Sequence, residues 1–231
     1  MMITKYTLMR FFKKPLGLGI ACALPLLLMF VPDLWVEGAV LGGFSLVTFV
    51  ILASSFITSQ VILSDRIEGA LTRIMMAPVS RLQYLAQVLL ACMLPLIIQL
   101  VLVSGAGLLL HAWSASFALQ LLLIYSLFAA ASVGLAFMFY SFMKSKDSST
   151  AGLSMLLTLM ATVGGMFMPV SMFPQPIQWV ARALPSFWVV EGYTQLLDYG
   201  TATGSYWLSS GVLAGFTLLF LAIGGQKKIV Y

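Results

Sequence analysis

The chain has 231 residues, 61% of them hydrophobic and only 8% charged, with a mean hydropathy of +1.04. A soluble domain draws about a quarter of its residues from Asp, Glu, Lys and Arg, so this composition excludes a water-solvated globule and makes lipid the solvent. The net charge of +5 does not indicate nucleic acid, because the basic residues flank apolar runs and gather on no polar domain.

A helix that crosses a bilayer needs about 20 mostly apolar residues. Uncharged runs occupy residues 15–32, 38–64, 82–143, 148–181 and 199–226, and the third divides at His111-Ala112-Trp113-Ser114. Together they predict six transmembrane helices, at residues 16–31, 39–62, 84–109, 116–141, 150–169 and 206–225. The runs are continuously apolar over helical lengths, not alternating over short strands, which excludes a β-barrel.

Taken in chain order, residues 1–15 come first. They mix Tyr6, Leu8, Met9, Phe11 and Phe12 with Lys5, Arg10, Lys13 and Lys14, the pattern of a helix lying in the membrane interface. Pro15 turns the chain into the first span. No small-x-small cleavage site follows near Val31–Glu37, so that span is expected to be retained. The second span is less oily toward its end, where Ser55, Thr58, Ser59 and Gln60 are candidates for lining a polar route. Hydrogen bonding within or between helices would account for them as well.

Residues 64–82 follow. Ser64 can cap a helix whose first turn carries Asp65 and Glu68, at the end the helix dipole favours for acids. Ile67, Leu71, Ile74 and Met75 recur at three-to-four-residue spacing and give an apolar stripe. Arg66 and Arg73 leave that face, and Pro78 ends the helix. Ser80 with Gln83 forms a second capping box that restarts a helix into the third span.

Beyond the fifth span, Pro169, Pro174, Pro176 and Pro185 break residues 170–200 into pieces too short to cross, with Trp179, Phe187, Trp188 and Tyr193 at interfacial depth. These features predict a re-entrant or interface-lying hairpin. Cys22 and Cys92 fall inside spans and read as packing residues; nothing suggests a disulfide or metal site. His111 lies in a loop with no catalytic companions. Eleven of the twelve Lys and Arg residues fall on one side of the predicted spans and only Arg182 on the other. The positive-inside rule therefore places both chain ends in the cytoplasm.

Two of these segments carry a family resemblance. Asp65, Arg66, Glu68, Gly69, Leu71 and Arg73, continuing to Ala77, Pro78, Val79 and Ser80, resemble the acidic-basic-x-x-Gly-x-Leu run and following Pro element of ABC-2 permeases. Gly164, Phe167 and Pro169, then Met172 and Pro174, Leu184 and Pro185, and Glu191 with Gly192 resemble that family's second signature. Here Phe173 stands between Met172 and Pro174.

The resemblance covers nearly the whole chain and implies an all-α integral membrane protein of the type V exporter kind. Its expected parts are an N-terminal interfacial helix, six spans, a cytoplasmic coupling helix and an extracytoplasmic re-entrant hairpin in one transmembrane domain, residues 1–231. It implies no catalytic residues and no cofactor in this chain. ATP and Mg would be bound by a partner cytosolic ABC ATPase subunit, two copies per complex, with a second copy of this chain or a related permease alongside. Membrane lipids are the remaining partner, and no nucleic acid is expected. Asp65, Arg66, Ile67, Glu68, Gly69, Leu71, Arg73, Ile74, Met75 and Pro78 would couple to the ATPase. Gly164, Phe167, Pro169, Met172, Pro174, Pro185, Glu191 and Gly192 would shape the exit.

The implied activity is ATP-driven export of an amphipathic drug, peptide antibiotic or lipid-like compound across the cell membrane. Export of polysaccharide, a heme-related compound or an ion is the alternative within the family. A secondary transporter or channel is the more distant rival; it would place ionisable residues within the spans, and the six predicted spans hold none. A membrane enzyme would need converging nucleophile, base or metal ligands, which one His and scattered carboxylates do not supply.

Overall fold

The computed structural model describes residues 4, 7, 23–35, 42–67, 81–143 and 145–226, and every regular element among them is a helix. After a helical stretch at 23–29 and a 3-10 turn at Pro32–Trp35 come α1 (Gly43–Ile67), α2 (Arg81–Leu110) and α3 (Ala115–Phe142). These are followed by α4 (Lys146–Val163), α5 (Gln175–Arg182), α6 (Pro185–Tyr199) and α7 (Gly204–Gln226).

Helix α3 is the centre of the bundle, packed by α1, α2, α6 and α7. In lipid the packing of helices rests on close contact and hydrogen bonds, since the tails are as apolar as the side chains. Three buried tyrosines supply such bonds across helix pairs. Tyr125 of α3 donates to the Phe44 carbonyl at 3.1 Å, Tyr140 of α3 to the Phe56 carbonyl at 3.1 Å, and Tyr206 of α7 to the Gln120 carbonyl at 2.8 Å. The order of these partners makes α1, α3 and α7 run in the same direction. Helix α2 runs against α1, with Tyr84 beside Asp65 and Cys92 beside Thr58.

Among the described residues four helices, α1, α2, α3 and α7, are long and apolar enough to cross a membrane. At 25, 30, 28 and 23 residues even the shortest is about 34 Å long at 1.5 Å per residue, against a hydrocarbon layer of about 30 Å. Their apolar length makes the chain a multi-pass integral membrane protein. The expectation of six spans is thereby corrected.

The fifth expected span, 150–169, is cut short at Val163. Gly164 caps the helix with its amide on the Met160 carbonyl. Gly165 takes a left-handed φ of +89°, which favours glycine. The amides of Met166 and Phe167 then both fold back to the Ala161 carbonyl at 3.1 Å. The apolar part, Ser148–Val163, is about 24 Å long. The first expected span, 16–31, falls within the described residues only from 23 onward. The interfacial helix at 1–15, apart from residues 4 and 7, and residues 68–80 of the coupling segment also lie outside them.

The expected re-entrant hairpin is not found either. Residues 164–200 form a glycine turn, a 3-10 turn at Val170–Met172, the eight-residue α5 and the fifteen-residue α6. Pro185 starts α6, and left-handed Gly200 ends it. The buried side of α6, including Val189, Tyr193 and Leu196, lies on α3 and α7. The prolines that read as a hairpin begin helices, where a missing amide costs nothing.

Candidate functional site

Three regions hold the residues of interest: the inner ends of α1 and α2, the outer end of the bundle, and one face of α4. At the inner end, the last turn of α1 carries Asp65, which is only 4% exposed. The Tyr84 hydroxyl at the start of α2 donates to its Oδ2 at 2.8 Å. Nearby, the Thr4 hydroxyl donates to the Gln87 carbonyl of α2 at 3.3 Å. Asp65 is therefore spent inside the junction, whereas Ile67, two residues on, is exposed. The backbone of Arg66 is helical. Glu68, Gly69, Leu71, Arg73, Ile74, Met75 and Pro78 lie outside the described residues.

The hydroxyls of α1 are turned inward. Ser55, Thr58 and Ser59 are buried and donate to the carbonyls of Ile51, Ser54 and Ser55 in their own helix, at 2.7, 2.9 and 2.6 Å. Gln60 is exposed and is a further hydrogen-bond partner of the Tyr140 hydroxyl. Three of the four candidate lining residues thus sit in the protomer's own core.

The outer end is closed by an aromatic stack assembled from five separate stretches of chain. Phe44 lies between Trp113 and Tyr193, stacked on each at 5.5 and 5.9 Å between centroids. Trp35 meets Phe44 edge-on at 5.0 Å, His111 at 5.0 Å and Trp113 at 5.7 Å. Phe117 abuts Trp113 at 5.4 Å.

Two glycines make room for the indoles. A Cβ on Gly43 would lie 2.6 Å from the Trp35 ring, and one on Gly107 would run into Trp113. Polar bonds hold the stack together: Trp35 Nε1 donates to the Leu28 carbonyl at 3.0 Å, and His111 Nε2 lies 3.0 Å from the Met29 carbonyl oxygen. The Ser45 and Tyr193 hydroxyls are 2.9 Å apart. Sequence reading placed His111 in a loop and missed this stack, whose members lie as far apart as Trp35 and Tyr193. The available signal was the gathering of Trp, His and Phe at the predicted ends of spans.

The residues of the second motif are brought together around α6. Gly164 lies against Ser186 so closely that a Cβ there would collide with its hydroxyl, and Gly192 lies equally close to Ile124. Phe167 packs on Phe49 at 5.3 Å. Pro169 and Pro174 precede the 3-10 turn and α5, and Pro185 is the buried first residue of α6. Met172 stands out from this group, 70% exposed. Glu191 accepts from Gln195 Nε2 at 3.3 Å, and Gln195 Oε1 accepts from the Thr203 hydroxyl at 3.1 Å, so the carboxylate braces α6 against the start of α7.

Helix α4 presents something different. Thr150, Ser154, Thr158 and Thr162 recur every four residues and so share one face. Each of the last three donates to the carbonyl four residues back, at 3.0, 2.9 and 2.9 Å. Thr150, Ser154 and Thr158 are exposed, beside exposed Met155 and Leu159. The face is amphipathic, and none of the described residues covers it.

Among the described residues no group of His, Cys, Asp and Glu could hold a metal ion. No curated protein matches the chain. The family described as "ABC-2 family transporter protein" matches residues 19–225, nearly the full length. Permeases of this family are non-catalytic and typically work with a cytosolic ATPase subunit. With this match and its membrane-spanning helices, the chain belongs to the ABC-2 transporter family and is a transmembrane permease subunit of an ABC transporter.

Proposed function

We propose that this permease exports an amphipathic compound (a drug, peptide antibiotic or lipid-like molecule) with energy from ATP hydrolysed by a separate cytosolic subunit. The observation that carries this reading is the uncovered face of α4. A hydroxyl facing lipid gains less than one facing water, even when bonded back to its own helix. A ladder of three exposed hydroxyls interleaved with Met155 and Leu159 suits a route that offers hydrogen bonds and adaptable apolar contact together.

In this reading two ATPase subunits pair with two permeases, the second being another copy of this chain or a relative. The α4 faces line the space between the permeases. The end of α1 and the segment after it receive the ATPase, with Ile67, Leu71, Ile74 and Met75 as apolar contacts and Arg66, Glu68 and Arg73 setting charge complementarity. Asp65 acts from within, holding the ends of α1 and α2 together so that motion of the segment reaches both. The aromatic stack keeps the outer end shut until that motion arrives, a population shift driven by differential contacts at a distant site.

The test is transport by the complex co-purified through this chain. Reconstituted with its ATPase outward, it should accumulate rhodamine 6G in ATP-dependent fashion. Changing Glu68 to Ala or Leu71 to Asp should leave membrane insertion and ATP hydrolysis in place and remove accumulation. Dye accumulation unaffected by both changes would sink the coupling assignment, and uptake driven by a proton gradient without ATP would overturn the function.

A further inference from the structure

We infer that the α4 face selects substrates by hydrogen-bond polarity: it takes amphiphiles that carry N–H or O–H donors and disfavours those that carry only acceptors. The inference rests on the export reading above and names the substrate class of that same face.

Ser154, Thr158 and Thr162 each have one hydroxyl hydrogen and two lone pairs. Their bonds run to the carbonyl oxygens of Thr150, Ser154 and Thr158, at 3.0, 2.9 and 2.9 Å. A carbonyl oxygen has no hydrogen to give, so the hydroxyl is the donor in every one of these bonds. The Thr162 hydroxyl is held further by the Leu159 carbonyl at 3.3 Å. Each hydrogen is therefore spent on the helix's own backbone, and what is left for an occupant is lone pairs. Met155, next to Ser154 in the chain and 73% exposed, adds a thioether sulfur, which is likewise an acceptor and never a donor.

The result is a surface of one hydrogen-bond polarity, with successive hydroxyls about 6 Å apart along the helix axis. No residue of α4 beyond Asp147 carries a formal charge, so the selection made here is by donors and acceptors and not by ion pairing. An N–H or O–H of the occupant meets a lone pair in a low-dielectric setting, where a hydrogen bond is strong. An ether, ester, carboxylate or phosphate oxygen sets lone pair against lone pair. To serve such an oxygen a hydroxyl must first release its own carbonyl, which exchanges one bond for another and gains nothing. Exposed Leu159 supplies contact for the apolar frame. The buried Ser55, Thr58 and Ser59 of α1 make the same kind of bond within their own helix, but they stand in the core of the protomer, where no occupant reaches them.

The test compares two cationic dyes of like size, both ethyl esters, in the reconstituted permease–ATPase complex. Rhodamine 6G carries two N–H groups, whereas rhodamine B ethyl ester has both nitrogens fully alkylated. The rate of ATP-dependent accumulation of each dye is divided by its partition into protein-free vesicles. The wild-type ratio should favour rhodamine 6G by about five-fold, the gain from one hydrogen bond. Thr158→Ser, which keeps the hydroxyl, should keep the ratio. Thr158→Val should lower it, and Ser154→Ala combined with Thr158→Val should bring it close to one. A wild-type ratio of one would overturn the inference and leave ATP-driven export standing. So would a double variant that slows both dyes equally, because a packing role lowers both rates and leaves their ratio alone. Failure of the wild type to accumulate either dye with ATP would instead overturn the export reading, and the inference would fall with it.

Discussion

Single residues carry three kinds of work in this molecule. Glycines set how closely helices approach, and Gly164 is the clearest case, lying against both the Ser186 hydroxyl and the Met160 carbonyl. Gly164→Ala should destabilise the protomer by about 1 to 3 kcal/mol, as overpacking does in a filled core, seen as a lower melting temperature in detergent. Tyrosines tie one helix to the next, and Tyr84 does so with a buried acid. Tyr84→Phe should cost about 1 to 3 kcal/mol by removing a hydrogen bond to that acid, and should slow transport more than ATP hydrolysis if the junction transmits force. Equal losses in both would reduce Asp65 and Tyr84 to packing. Aromatic rings close the outer end, where Gly107→Ala must displace Trp113. Its expected sign is a shift of tryptophan emission with little loss of helicity.

At the scale of elements, α4 and α6 depart from what hydropathy alone suggests. The apolar run continues past Val163, so a window of composition reads one span to residue 169. The chain instead turns at Gly164 and Gly165, and the left-handed backbone of Gly165 is invisible to hydropathy although the Gly-Gly pair announces it. The four prolines were legible as breaks, and the pieces at 178–184 and 187–197 as candidate short helices. The structure starts those helices earlier, at Gln175 and Pro185. Membrane residence and the family were legible because they rest on composition and on two short motifs, Asp65 to Ser80 and Gly164 to Gly192. The aromatic stack was not, since only tertiary packing brings Trp35, Phe44, His111, Trp113 and Tyr193 together. For α4 the expectation is a separation of stability from function. Thr158→Val, at an exposed position whose hydroxyl bonds its own helix, should change stability by no more than about 0.5 kcal/mol. It should lower dye accumulation in the reconstituted complex several-fold. A parallel loss of stability would make α4 a packing helix.

For the whole molecule, the arrangement is one of two ends joined by stiff helices. The inner end gathers α1, α2 and Thr4 around Asp65, Tyr84 and Gln87; the outer end gathers five chain segments around Phe44. Helix α1 connects the two directly, from Phe44 in the stack to Asp65 in the junction, so a displacement at one end is carried along a single 25-residue rod. The account turns on whether the uncovered face of α4 meets water and substrate or meets lipid, and whether ATP changes what it meets. The direct measurement is labelling of Ser154→Cys by a membrane-impermeant maleimide, in the reconstituted permease–ATPase complex with Cys22 and Cys92 replaced. The account predicts that the introduced thiol reacts and that its rate changes several-fold when ATP and vanadate trap the ATPase. A thiol at position 154 that stays unreactive in every nucleotide state, with the complex active, would contradict it.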